Sequence, residues 1–395
     1  MRRAAYLMLF ALLLSLCVLP ALAAGQGEAQ DLTALCRLFG NGTTRRHDRL
    51  TDDRRDTVYI MRKKGGYLEI TSPEEIGGIY LELSERTLPF DVEIWDETQK
   101  AYLAAGSYQG HLQEYIPVPR SCRKLRILSP DNQRFSLNIA EIRVLGCGEV
   151  PDWVHVWQDA EAADLLLLVA HPDDEVLWFG GLLPTYAGEM GKTVQVACLV
   201  PATPIRRLEF LDSLWTCGVR CYPAFLDFTD YRGRDLEDQL RHWGEDTLME
   251  RVTACIRKYR PAVVISHGLS GEYGHPAHRA AAQVALAGSL ASGDAGRFPA
   301  SAEAFGTHTV QKVYLHEGTE HPVLMEWHVP LAAFGGQDGI SVARDAMACH
   351  ESQVRRGWQV EDSGEHDNRL FGLVYALASV PQDALDLPDF MAGVE

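Results

Sequence analysis

Residues 163–170 read ADLLLLVA, an apolar run too continuous for a strand with one wet face. A strand apolar at both of its alternating positions is buried on both sides, the condition met in a parallel sheet covered by helices. The text that follows keeps to this rule. TVQVACLV, YPAFLDF and AVVISHG are further apolar runs, and between them GGLLPTYAGEM, RRLEFLDSLWTCG, a long amphipathic stretch to Tyr259 and then HRAAAQVALAGSL carry helical patterns. Such alternation predicts βαβ units in a Rossmann-like, layered α/β domain over 160–395. QKVYLHE and VLMEWHV read as later strands, and ISVARDAMACHESQ as a helix.

The chain of 395 residues is long for a single core, and its first part is written differently. From about 30 to 150, short alternating runs such as YLEITS, GGIYLELS, FDVEIWD and FSLNIAEIRVLG are broken by Pro, Gly, Asn and Asp, the pattern of an antiparallel β-sandwich. GEVPDWVHVWQDAEAAD bridges the two parts. Ahead of both, Arg2 and Arg3, an apolar run, Pro20 and the small residues Ala21, Ala23 and Ala24 predict a secretory signal over 1–24. No second span follows it, so the mature chain is expected to be secreted and free of membrane spans. Eight cysteines remain after Cys17, an even number suited to an oxidising compartment, with Cys122 and Cys147, or Cys217 and Cys221, as the nearest candidate pairs. The formal charge of −17 repels phosphate backbones and excludes nucleic acid as a partner.

Ligands in open α/β sheets bind beyond the carboxyl ends of the strands. His171, Asp173, Asp174 and Glu175 stand at the end of ADLLLLVA, and Tyr273, His275 and His278 follow AVVISHG, which places two acid and imidazole clusters on one rim. Each has a plainer reading alone: Pro-Asp-Asp-Glu is a common helix start, and His-x-x-His a common surface pair. Together they suit zinc, which takes imidazole nitrogen and carboxylate oxygen and keeps a position open in catalytic sites.

HPDDE after an apolar strand, Arg206 and Glu209 in R-x-x-E, RPAVVI from Arg260, GEYGHPAHRA from Gly271 and HESQ from His350 resemble the PIG-L/LmbE family of zinc-dependent N-acetylglucosaminyl deacetylases, in the family's order over roughly 164 to 380. The resemblance implies hydrolysis of an N-acetylated amino sugar. It makes His171, Asp174 and His278 the zinc ligands and Asp173 the base that deprotonates the attacking water. His275 would stabilise the oxyanion and protonate the leaving amine, Tyr273 would polarise the acetyl carbonyl, and Arg206, beside the rival Arg207, would bind sugar. Glu175 reads as a cap or as a support for a ligand histidine, and His267 as a rim residue. The chain departs from the family at Ala277, where many relatives carry Asp; an aspartate restored there is expected to raise the upper pKa of the rate profile. The first domain is weakly similar to discoidin-like, galactose-binding sandwiches, which implies glycan attachment. The alternatives are a zinc hydrolase of another N-acyl group and a glycan-binding protein without turnover.

Overall fold

The computed structural model describes residues 27–394 except 44–45, 63, 131–135 and 365–366; the predicted signal lies outside them. Seven strands form the first domain: β1 (Arg37–Gly40), β2 (Tyr59–Ile60), β3 (Tyr67–Leu83), β4 (Phe90–Asp96), β5 (Ala101–Tyr108), β6 (Gln113–Leu128) and β7 (Asn138–Gly146). All their pairings are antiparallel. The long strands β3 and β6 run through the whole domain, so the strands make one continuous sheet, β2-β7-β3-β6-β4-β5 with β1 on β3. Register shifts between Thr71, Ile76 and Gly78 divide β3. Its first part pairs with β1 and β6, its second with β6 and β7.

The second domain has the sheet order β10-β9-β8-β11-β12-β14-β13, with β8 (Leu165–Val169), β9 (Val194–Cys198), β10 (Ala224–Phe225), β11 (Val263–Ser266), β12 (Lys312–His316), β13 (Pro322–Leu324) and β14 (Leu370–Ala376). The first five are parallel, as the apolar runs require. Leu165, Leu167 and Val169 enter one apolar cluster and Leu166 and Leu168 another, so both faces of β8 are buried. The sheet is mixed, however. β14 is antiparallel to β12 and β13, and LFGLVYA has a strand's text that the alternation of helices and strands did not anticipate. Helices α1 (Asp174–Leu177), α2 (Pro204–Thr216), α3 (Leu236–Trp243), α4 (Glu245–Tyr259), α5 (Pro276–Ser292), α6 (Pro299–Phe305), α7 (Gly339–Cys349) and α8 (Glu351–Val354) complete the domain. No described helix is long and apolar enough to cross a membrane.

The bridging segment is a packed interface. The His155 ring stacks 4.7 Å from that of Trp215 on α2, and Trp157 lies edge-on to Trp215 at 5.4 Å. Arg55 of the first domain holds Glu82 at 2.5 Å and also pairs with Asp212 of α2. Gln113 donates to Asp212 at 2.7 Å.

The expected disulfides are not formed: all eight described cysteines are free. Ile76 of β3 faces Cys122 on one side and Gly146 on the other. A whole strand therefore separates Cys122 from Cys147, and two inter-strand spacings of ~4.8 Å exceed the ~7 Å reach of a disulfide. Cys217 is buried in the apolar core, whereas Cys221 lies in a bridge to Gln158.

Candidate active site

Strands β8 and β11 are neighbours in register, with Leu168 opposite Ser266, so the loops that leave them open side by side. On the β8 side the chain turns sharply. Asp173 has φ of 105°, a left-handed conformation that strains a residue with a Cβ, and it forms the N-cap of α1. Its N–H donates to Glu175 at 2.9 Å. Arg206, in the first turn of α2 behind the cap Thr203, donates to the Pro172 carbonyl and lies 3.2 Å from the Asp173 carboxylate. Arg207 turns away, to within 3.9 Å of Asp227, which settles which arginine reaches the site. On the β11 side, His275 is the N-cap of α5 with Pro276 at the first helical position, where its missing N–H costs nothing.

The rims meet. The His171 and His278 rings are 5.5 Å apart, and ring nitrogens of His171, His275 and His278 all lie within 4.8 Å of one another; Asp174, His267 and His278 form a second such group. His278 Nε2 is buried without a hydrogen-bond partner, 3.4 Å from Asp174 Oδ1, and His171 Nδ1 is 3.5 Å from Asp174 Oδ2. Two ~2 Å bonds to one tetrahedral ion leave donor atoms roughly 3.3 Å apart. The orphaned nitrogen and these spacings fit zinc held by His171, Asp174 and His278.

Burial pushes the Asp173 carboxyl above the ordinary carboxylate range, Asp174 adds to this and Arg206 opposes it. Asp174 goes the other way: burial is overcome by His278 and His267, which hold it well below the usual range. Burial, then His278 and His171, push His275 down to about 3, so its ring is neutral. Its Nδ1 accepts the Ala277 N–H at 3.2 Å, which leaves the ring proton on Nε2. The Ala277 side chain is fully buried in an apolar cluster. Tyr273 is half-exposed, its ring 5.6 Å from both His275 and His278.

Several site residues escaped the sequence reading. Glu272, inside the quoted GEYGHPAH, is buried and takes contacts from His278 Nδ1 at 2.6 Å, His316 Nδ1 at 3.0 Å, His267 Nδ1 at 3.2 Å and the Gly268 N–H at 2.9 Å. Burial would raise its pKa, but His267 and the imidazole hydrogen bonds hold it well below the usual carboxylate range. His267 is fully buried rather than at the rim; Glu272 and Asp174, on its two sides, overcome burial and push it up to about 10. His316 ends β12, and its place at a strand terminus was the available signal. The Trp178 indole donates to Asp174 Oδ1 at 3.0 Å. Glu175 supports Asp173 rather than a ligand histidine, and its other oxygen meets Ser213 and His350, each at 2.6 Å. Asp230 is exposed.

Residues 166–288 match the sequence model of the family described as PIG-L, GlcNAc-PI de-N-acetylase. A Catenulispora acidiphila protein named 1D-myo-inositol 2-acetamido-2-deoxy-alpha-D-glucopyranoside deacetylase 2 is 29% identical over 183 residues, 39% of this chain and 60% of its own length. The Geodermatophilus obscurus protein named as the same deacetylase is 28% identical over 215 residues, 45% of this chain and 72% of its own. The chain thus spans under two thirds of the first of these relatives. The Pyrococcus horikoshii N,N'-diacetylchitobiose deacetylase aligns with a TM-score of 0.38 and 18% identity over 48% of this chain and 71% of its own. Both clusters of the candidate site lie inside the family match, and residues 166–288 are accordingly a PIG-L domain.

Proposed function

We propose that the chain is a secreted, zinc-dependent deacetylase that hydrolyses the N-acetyl group of an N-acetylglucosamine-type sugar. The observation that carries this reading is the buried, unpartnered His278 Nε2 facing Asp174 beside His171. The relatives' names, all of deacetylases acting on a 2-acetamido-glucopyranoside, agree with it.

His171, Asp174 and His278 would hold the ion. Bound zinc supplies a water of pKa ~7 and polarises a carbonyl. The remaining work belongs to the protein. Asp173, next to a ligand in sequence but paired with Arg206 instead, is the base that accepts a proton from the attacking water. Its left-handed backbone and the Glu175 and Arg206 contacts fix where that carboxylate points. His275 donates from Nε2 to the acetyl oxygen as negative charge grows there, a contribution of ~3 kcal/mol for one well-placed donor, and Tyr273 stands beside it as a second donor. The proton returned to the leaving amine passes by way of His275 or Asp173.

The test is zinc content and acetate release from N-acetylglucosamine sugars, for the parent chain and for His278→Ala. Joint loss of metal and release in the variant is expected. A parent that binds sugar but releases no acetate is a glycan-binding protein instead. N-terminal sequencing of exported material checks secretion, with a mature start just after Ala24 expected.

A further inference from the structure

Trp358 is 37% exposed, and Tyr273, which lies beside His275 and His278 of the candidate site, is 41% exposed. Their ring centroids are 5.7 Å apart and their planes tilted by 40°. Trp178, buried behind them, lies 6.2 Å from Trp358 and 5.7 Å from Tyr273. The three rings form one aromatic cluster in which Trp358 and Tyr273 are part-exposed, joined through Tyr273 to His275 and His278.

Local structure holds the outer indole there. After α8 the chain turns through Gly357, whose φ of 91° suits glycine, and the Trp358 N–H returns to the Gln353 carbonyl at 3.3 Å. The residue that opens α8, His350, is itself bonded to Glu175 of the first cluster. The platform is therefore anchored to the same loop that carries Asp173.

Two part-exposed aromatic side chains in contact suit a flat, saturated ring with C–H groups on its face and hydroxyls at its rim. The Arg232 guanidinium lies over the Tyr273 ring, 5.9 Å from its centroid, and supplies N–H donors beside it. We propose that Trp358 and Tyr273 form a stacking subsite for the pyranose joined to the reacting sugar, so that the site favours a saccharide of at least two rings. This rests on the reading of the site as an N-acetyl sugar deacetylase.

Calorimetric binding of N-acetylglucosamine and its β-1,4 disaccharide, in an Asp173→Asn background that slows turnover, tests the subsite. The disaccharide should bind about tenfold more tightly, the equivalent of one good aromatic contact. Trp358→Ala should abolish that preference and Trp358→Phe should keep most of it. Equal affinity for both sugars, or a preference that survives Trp358→Ala, overturns the subsite. Acetate release by the parent chain is read separately: a Trp358-dependent preference without release leaves the subsite standing and removes the hydrolytic reading.

Discussion

Glu272 Oε2 lies 2.6 Å from Nδ1 of His278, which leaves the other nitrogen of that ring free to face Asp174. A carboxylate placed behind a ligand imidazole fixes its tautomer and raises its basicity, and removing such a partner typically costs 10–100-fold in metal affinity. Here one side chain also contacts His267 and His316, so it ties the ends of β11 and β12 to the first turn of α5.

Glu272→Gln should therefore weaken zinc binding by about 10–100-fold, as measured by competition with a chelator, while the chain stays folded. Unchanged affinity would show that His278 is oriented by the helix alone.

Asp173→Asn should lower acetate release by about 10²–10⁴-fold with zinc content intact. Arg206→Ala acts through the same carboxylate, because Arg206 contacts Asp173 and Pro172. Its effect is expected mainly on kcat. A rise in KM alone would return Arg206 to sugar binding.

Acid should loosen the interface between the domains. Burial pushes His155 down to about 3, with the Glu82 carboxylate opposing, whereas a free histidine titrates near ~6.5. Between those values the unfolded chain takes up a proton that the folded chain refuses, so this contribution is complete above ~6.5 and is lost as pH falls, at about 1.4 kcal/mol per unit. His155→Gln should flatten the plot of Tm against pH between about 6.5 and 5. A slope as steep as the parent's would place the acid sensitivity in other groups.

Arg55→Ala leaves Glu82 and Asp212 facing one another across the domain boundary without their shared cation. The expected loss is about 2–4 kcal/mol, read as a lower denaturation midpoint. A neutral variant would mean that solvent already screens the pair.

Legibility in the sequence followed the range of the interactions. The buried β8 and the pairing of the two rims could be read because each depends on neighbours in sequence or on the strand-end rule. The antiparallel β14 could not, since an apolar heptapeptide carries no record of its direction in a sheet. The disulfide expectation failed for a related reason: nearness in sequence does not reveal the strand lying between Cys122 and Cys147.

By itself the sequence determined which residues have the chemistry, because a strand apolar on both faces must be buried and the polar residues that end it must gather at its carboxyl edge. Only the tertiary structure decided how they are shared out. Glu272 meets imidazoles from three elements, Arg206 turns to Asp173, and Trp358 reaches Tyr273 from 85 positions away in the chain. Contacts between segments distant along the chain are set by packing geometry, and no local pattern of residue types encodes them.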